Sequence, residues 1–300
     1  MSYSSRQMIL LICKLFVCVG YFKFSCQVVR TTSTFKGSVT GITMLNDRMY
    51  VSHNDQPQVA VYNLATFQFQ QFFDCYSTFF GNQQGVFRRG RESILQHLVA
   101  CDVNNCLYIS FSARDSGHIC KVTINRNKMM SFWSLGGSPQ SLSVTSLHNL
   151  LVTMSDACSL LEYSTDGRLI RQIDLLDAGI TNPVFAVQFS NDQFAVTHHG
   201  RRGHCSIVSS DGQLVRMYRG DAGDMNQPQG IAVGKRGRIF VADRNNNRIL
   251  MINSMTLSAD PLPLPTGFDL NGPHSVHFDV ASNRLYIGEW NGRRIICCQL

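Results

Sequence analysis

Short apolar runs recur along this chain, separated by Gly, Asn and Asp clusters, with no 3.6-residue period. The clearest stretch runs from Gln227 to Asn253. Ile231-Ala232-Val233 is followed by the turn Gly234-Lys235-Arg236-Gly237 and a second run, Ile239-Phe240-Val241-Ala242. Asn245-Asn246-Asn247 then interrupts before Ile249-Leu250-Met251-Ile252. Runs of this length bounded by turn formers predict strands.

The same run, turn and second run recur at Ile42, Leu98, Leu142, Val187 and Val276, so that successive anchors lie 56, 44, 45, 44 and 45 residues apart. A period of about 40–50 residues holding several short strands predicts a β-propeller. The long first interval is explained by a polar, basic insertion around Tyr76–Glu92. Six anchors predict six blades.

Outer hairpins follow the first two strands. Ser159–Tyr163 and Leu169–Ile173 flank Asp166-Gly167, and Cys205–Val208 and Leu214–Met217 flank Asp211-Gly212. Asp-Gly between alternating runs is a hairpin signal, because both residues tolerate positive φ. The last unit, ending at Arg294–Leu300, has no room for a fourth strand. The strand-like piece Ser25–Phe35 is expected to complete it and so remove the open edges of the ring. The resulting division is an apolar segment at 1–24 and one propeller at 25–300.

Composition adds less. Apolar content of 44% supports a core, and charged content of only 16% suits strands buried on both faces. A formal charge of +7 permits contact with nucleic acid or an acidic partner without requiring either. The 11 cysteines form no Cys-x-x-Cys pair and no zinc spacing, so they read as small buried hydrophobes and favour a reducing, cytoplasmic setting. Against this, Arg6–Gly20 resembles a short signal-peptide apolar region, interrupted by Lys14. Secretion, an extra element packed on the ring and a truncated start are all compatible with it.

Gln227-Pro-x-Gly-Ile-Ala-Val, Gly237-Arg-Ile-Phe-Val-Ala-Asp243 and Asn247-Arg-Ile249 together resemble the NHL repeat, and Gly272–Val276 with Asn283–Glu289 and Arg293–Ile295 is a looser copy. The resemblance implies a six-bladed all-β propeller. Within that group the chain is similar to the carboxy-terminal propeller of TRIM-NHL proteins, which implies recognition of RNA or a protein partner in a ubiquitin-ligase pathway. No RING or B-box spacing accompanies it, so ligase activity by this chain is not expected. The same resemblance implies a structural role for Asp243, as a turn cap, and for Arg248, as a bridge to the adjacent blade. Residues aligned with Asp243 are Glu289, His198, Ser155, Phe111 and His53.

Basic residues gather in the loops after the second strands of late blades: Arg201, Arg202 and His204, then Arg244 and Arg248, then Arg293 and Arg294. Trp290 stands where blade five has Arg244. A basic arc with an aromatic platform is the usual way of holding looped or single-stranded RNA. Lys235, Arg236 and Arg238 belong to the opposite face. An enzymatic alternative comes from a second NHL group, the amidating lyases, which hold zinc with three channel histidines. His97, His274, His53, His198 and His199 lie near strand ends where such a site would be, although they do not align from blade to blade. No nucleophile elbow, phosphate loop or nucleotide fingerprint is present. The expectation is a monomeric, cofactor-free binding ring whose partner is RNA or protein.

Overall fold

The computed structural model describes residues 26–32, 35–54, 56–73, 94–113, 116–124, 128–199, 203–218, 224–254 and 258–300. The apolar segment at 1–24, the whole of the 76–92 insertion, and Arg201 and Arg202 lie outside the described residues. Among those described, no helix is long and apolar enough to cross a membrane.

Val, Ile, Leu, Tyr and Phe fill the runs, and they form six antiparallel four-stranded sheets. Their inner strands are Val39–Leu45, Ile94–Cys101, Pro139–Val144, Pro183–Ser190, Pro228–Val233 and Pro273–Asp279. Each inner strand packs on the next, and that of blade six packs on that of blade one, which closes the ring. The sixth sheet is completed as the pattern predicts. Gln27–Thr31 pairs antiparallel with Ile295–Gln299 as the outermost strand.

The core is divided among the interfaces. Six buried apolar clusters each draw on two consecutive blades, for example Ala232, Phe240 and Ile249 of blade five with Leu285 and Ile287 of blade six. A blade alone would expose both faces of its sheet, so stability resides in the stacking of neighbours.

The Asp-Gly hairpins form with a different division of labour from the expected one. Positive φ falls on Gly167 (87°) and Gly212 (85°) only, and the ladder slips beside each turn, between Glu162 and Tyr163 and between Ile207 and Val208. This is the geometry of a tight turn followed by a glycine bulge, in which Asp keeps an ordinary backbone.

Pairing also shifts two alignments by one residue. In blade four Ala186, not Val187, faces the residue equivalent to Val241, because Ala186 pairs with Val196. In blade three Met154, not Ser155, faces the leading proline as Asp243 does, since Pro139 pairs with Met154 and Pro228 with Asp243. Blade four carries an additional slip near its first turn, between Gln188 and Ser190. A separate irregularity, at the start of every inner strand, shapes the site.

Candidate functional site at the channel mouth

Every inner strand slips register within its first residues. The slips fall between Val39 and Gly41, Leu95 and His97, Pro139 and Ser141, Pro183 and Phe185, Pro228 and Ile231, and Pro273 and Ser275. One extra residue is thereby left out of each ladder, and a bulge of this kind re-aims a side chain out of the sheet. The extra residues are Thr40, Gln96, Gln140, Val184, Gln229 and His274. All six line one cavity of about 340 Å³ at the end of the channel where the inner strands begin. A bulge repeated around the ring thus converts six strand starts into a wall of three amides, one hydroxyl, one imidazole and one apolar side chain, that of Val184.

Close packing limits what these positions can be. A Cβ on Gly230, beside Gln229, would lie 2.8 Å from the His274 carbonyl oxygen and 3.2 Å from the Ser275 Cα. Glycine is required where the inner strands of blades five and six approach.

Trp290 stands at the rim of the cavity. Its ring is 5.0 Å from that of His274, and the Arg244 guanidinium lies 4.5 Å over its centroid. Arg244 is half-buried, and burial holds its pKa below the usual guanidinium value. Among the described residues its Nε–H is buried without an acceptor and no carboxylate pairs with it.

The other guanidinia of the expected arc are used differently. Arg248 Nε donates to Asp243 Oδ2 at 2.6 Å, and Arg294 Nε donates to Glu289 Oε2 at 2.6 Å. Both carboxylates are fully buried, and each also accepts a backbone N–H, from Asn226 to Asp243 and from Asn271 to Glu289, at 2.7 Å. Contrary to expectation, Asp243 makes no side-chain cap to the backbone of the turn that follows it; it ties down the loop ahead of its blade's inner strand through the Asn226 N–H and accepts the Asn246 side-chain amide at 2.8 Å. The Arg248–Asp243 ion pair lies within blade five, and a link to blade six runs from the Gly272 N–H to Asn247 Oδ1 at 2.7 Å. Arg294 also donates to the Asp269 carbonyl at 2.8 Å, so it is a structural clamp and not a free phosphate contact. Arg293 is exposed, with φ of 50°. His204 is half-buried against His198, ring centroids 5.6 Å apart. Of the eight expected contact residues, the structure brings together Arg244 and Trp290.

The channel histidines are neutral. Burial pushes His97 down to about 4 and His274 to about 3, the latter helped by the nearby charge of Arg244. His199 is lowered by burial as well. His97 Nδ1 accepts the Leu142 N–H of blade three at 3.3 Å, which fixes its proton on Nε2. Its ring meets Phe185 edge-on at 5.0 Å, and these two residues form a waist between the mouth and a second cavity of about 410 Å³. His199 Nε2 is 3.2 Å from both the Pro228 carbonyl oxygen and the Gln229 amide nitrogen. Among the described residues, no three of the histidines considered for zinc bring their ring nitrogens within 4.8 Å of one another. Imidazoles held at about 3–4 are also poorly matched to general acid–base work at neutral pH.

The sequence profile of the NHL repeat matches residues 225–250, the stretch that carries Asp243, Arg244 and Arg248. No curated protein matches the chain in sequence. Among solved structures, the chain is similar to selenomethionine-substituted virginiamycin B lyase from Staphylococcus aureus, with a TM-score of 0.61 and 11% identity over 92% of this chain and 100% of that one. It is also similar to the PQQ-bound form of an aldose sugar dehydrogenase from Streptomyces coelicolor, with a TM-score of 0.65 and 13% identity over 92% of this chain and 98% of that one. At such identities the likeness is one of fold alone.

Proposed function

We propose that this six-bladed propeller is a binding module that receives a carboxylate-bearing segment of a protein partner at the channel mouth. The observation that carries this reading is the state of Arg244: half-buried, stacked on Trp290, and, among the described residues, without the carboxylate that Arg248 and Arg294 each possess. Stacking on an aromatic face fixes a guanidinium plane while leaving its edge free, which lowers the ordering cost of a two-pronged bond to a carboxylate. The glutamines of the bulge ring add neutral donors and acceptors for a peptide backbone.

An RNA ligand is less well supported. Gripping a phosphate backbone needs several unneutralised cations, and two of the expected guanidinia already face buried carboxylates. The Trp290 ring expected to stack a base is engaged by Arg244 and His274. A partner-recognition role like that of the TRIM-NHL propellers accords with this reading and comes from the sequence resemblance.

The test is selection of the purified chain against a displayed peptide library and, in parallel, a randomised RNA pool at low and physiological salt. Enrichment of peptides sharing an acidic residue or a free carboxyl terminus supports the proposal. Enrichment of RNA alone, with the steep salt dependence of counterion release, would replace it.

A further inference from the structure

At the opposite end of the channel the turns between first and second strands approach one another. Cys101 ends the inner strand of blade two and is 1% exposed, and Asp102 opens the turn that follows. His148 occupies the equivalent turn of blade three, at φ of 61°, where its N–H donates to the Thr145 carbonyl at 2.9 Å. The thiol, one carboxylate oxygen and one imidazole nitrogen of these residues all lie within 4.8 Å of one another.

We propose that Cys101, Asp102 and His148 bind a divalent cation of the zinc class, which joins blades two and three. Four-coordinate zinc with bonds of about 2.0–2.3 Å places its ligands about 3.3–3.8 Å apart, so side-chain rotations of an ångström or so close the site. Thiolate with imidazole selects zinc or cobalt over magnesium or calcium, which prefer all-oxygen cages. The surroundings fit this use. Asn104 Nδ2 lies 3.1 Å from Cys101 Sγ, where its N–H supports a thiolate as an outer partner. Asp102 Oδ1 accepts the Val103 N–H at 2.8 Å, which orients the carboxylate and leaves Oδ2 for the ion. Asp102 is exposed and Leu147, next to His148, is 75% exposed, so the ion has an open approach. Three protein ligands leave a fourth position, and Asp102 also lines the second channel cavity.

The experiment titrates Co²⁺ into the untagged full chain. The expected result is a thiolate-to-cobalt charge-transfer band saturating at one equivalent, bleached by Zn²⁺, and a higher melting temperature with Zn²⁺ than with a chelator. Cys101→Ser and His148→Gly should each abolish the band, glycine being chosen because it accepts the positive φ of position 148. Cys158→Ser, which alters a half-buried cysteine outside the site, should retain it. As a measurement free of variants, Zn²⁺ should protect Cys101 from alkylation in the native chain, read by peptide mass. A wild-type chain without the band, a band that survives both ligand variants, or Cys101 alkylated equally with and without Zn²⁺ would overturn the proposal.

Discussion

The guanidinium of Arg244 lies 4.5 Å above the ring of Trp290, so that the loops after the second strands of blades five and six meet face to face at the channel mouth. A cation over an indole contributes about 0.5–2 kcal/mol depending on desolvation. In a double-mutant cycle with Arg244→Met and Trp290→Leu, the coupling free energy of unfolding should be about 1 kcal/mol. Denaturant titration of the four proteins measures it, and additivity would contradict the stacked geometry.

The two buried ion pairs should behave unlike surface pairs. Arg248→Met leaves the Asp243 carboxylate uncompensated at zero exposure, and such a change should cost about 3–5 kcal/mol. Asp243→Asn should cost less, because an amide oxygen still accepts the Asn226 N–H. The order of the two midpoints in urea checks this, and the same order is expected for Arg294→Met and Glu289→Gln.

Acid should weaken the ring before its carboxylates protonate. His97 is held at about 4 in the folded chain by burial, below the roughly 6.5 of an unfolded imidazole. Between those values the unfolded chain binds the extra proton, so stability rises with pH through this window and is lost as pH falls through it. From pH 7 to pH 5 one such group removes about 2 kcal/mol. His97→Asn, which can still accept the Leu142 N–H, should flatten the pH dependence of the urea midpoint.

Crowding between blades gives a further prediction. Gly230→Ala places a methyl 2.8 Å from the His274 carbonyl oxygen, and overpacking of this kind costs about 1–3 kcal/mol. The melting temperature should fall, while Gly179→Ala, whose Cβ meets nothing within 4 Å, is affected only through its φ of 70°.

Much of the architecture was legible in the chain because it is written in periodicity. The six runs, their spacing and the donation of Gln27–Thr31 to the last sheet follow from the apolar pattern and the missing fourth strand. The bulge ring was not legible, since a bulge is a fault in pairing that leaves the apolar alternation almost intact. A faint marker existed: Gln140, Val184, Gln229 and His274 each follow the proline that opens an inner strand. A second slip, between Gln188 and Ser190, accompanies the displacement of Val187 from Ala186 in the alignment of blade four. Arg248 and Arg294 looked like members of a basic arc because a count of positive residues ignores their partners. Each in fact has its carboxylate five residues upstream, at Asp243 and Glu289. Arg244 and Trp290, far apart in sequence, become neighbours through the stacking of blade five on blade six.

The most direct test of the mouth as the recognition site is the affinity of a selected peptide, measured by calorimetry on three proteins. These are the native chain, Arg244→Gln and Arg236→Gln, the last altering an exposed arginine at the other end of the channel. The account predicts a loss of about ten-fold or more for Arg244→Gln, as expected for a buried charge-assisted contact, and no change for Arg236→Gln. Equal affinity of all three, or a loss confined to Arg236→Gln, would contradict it.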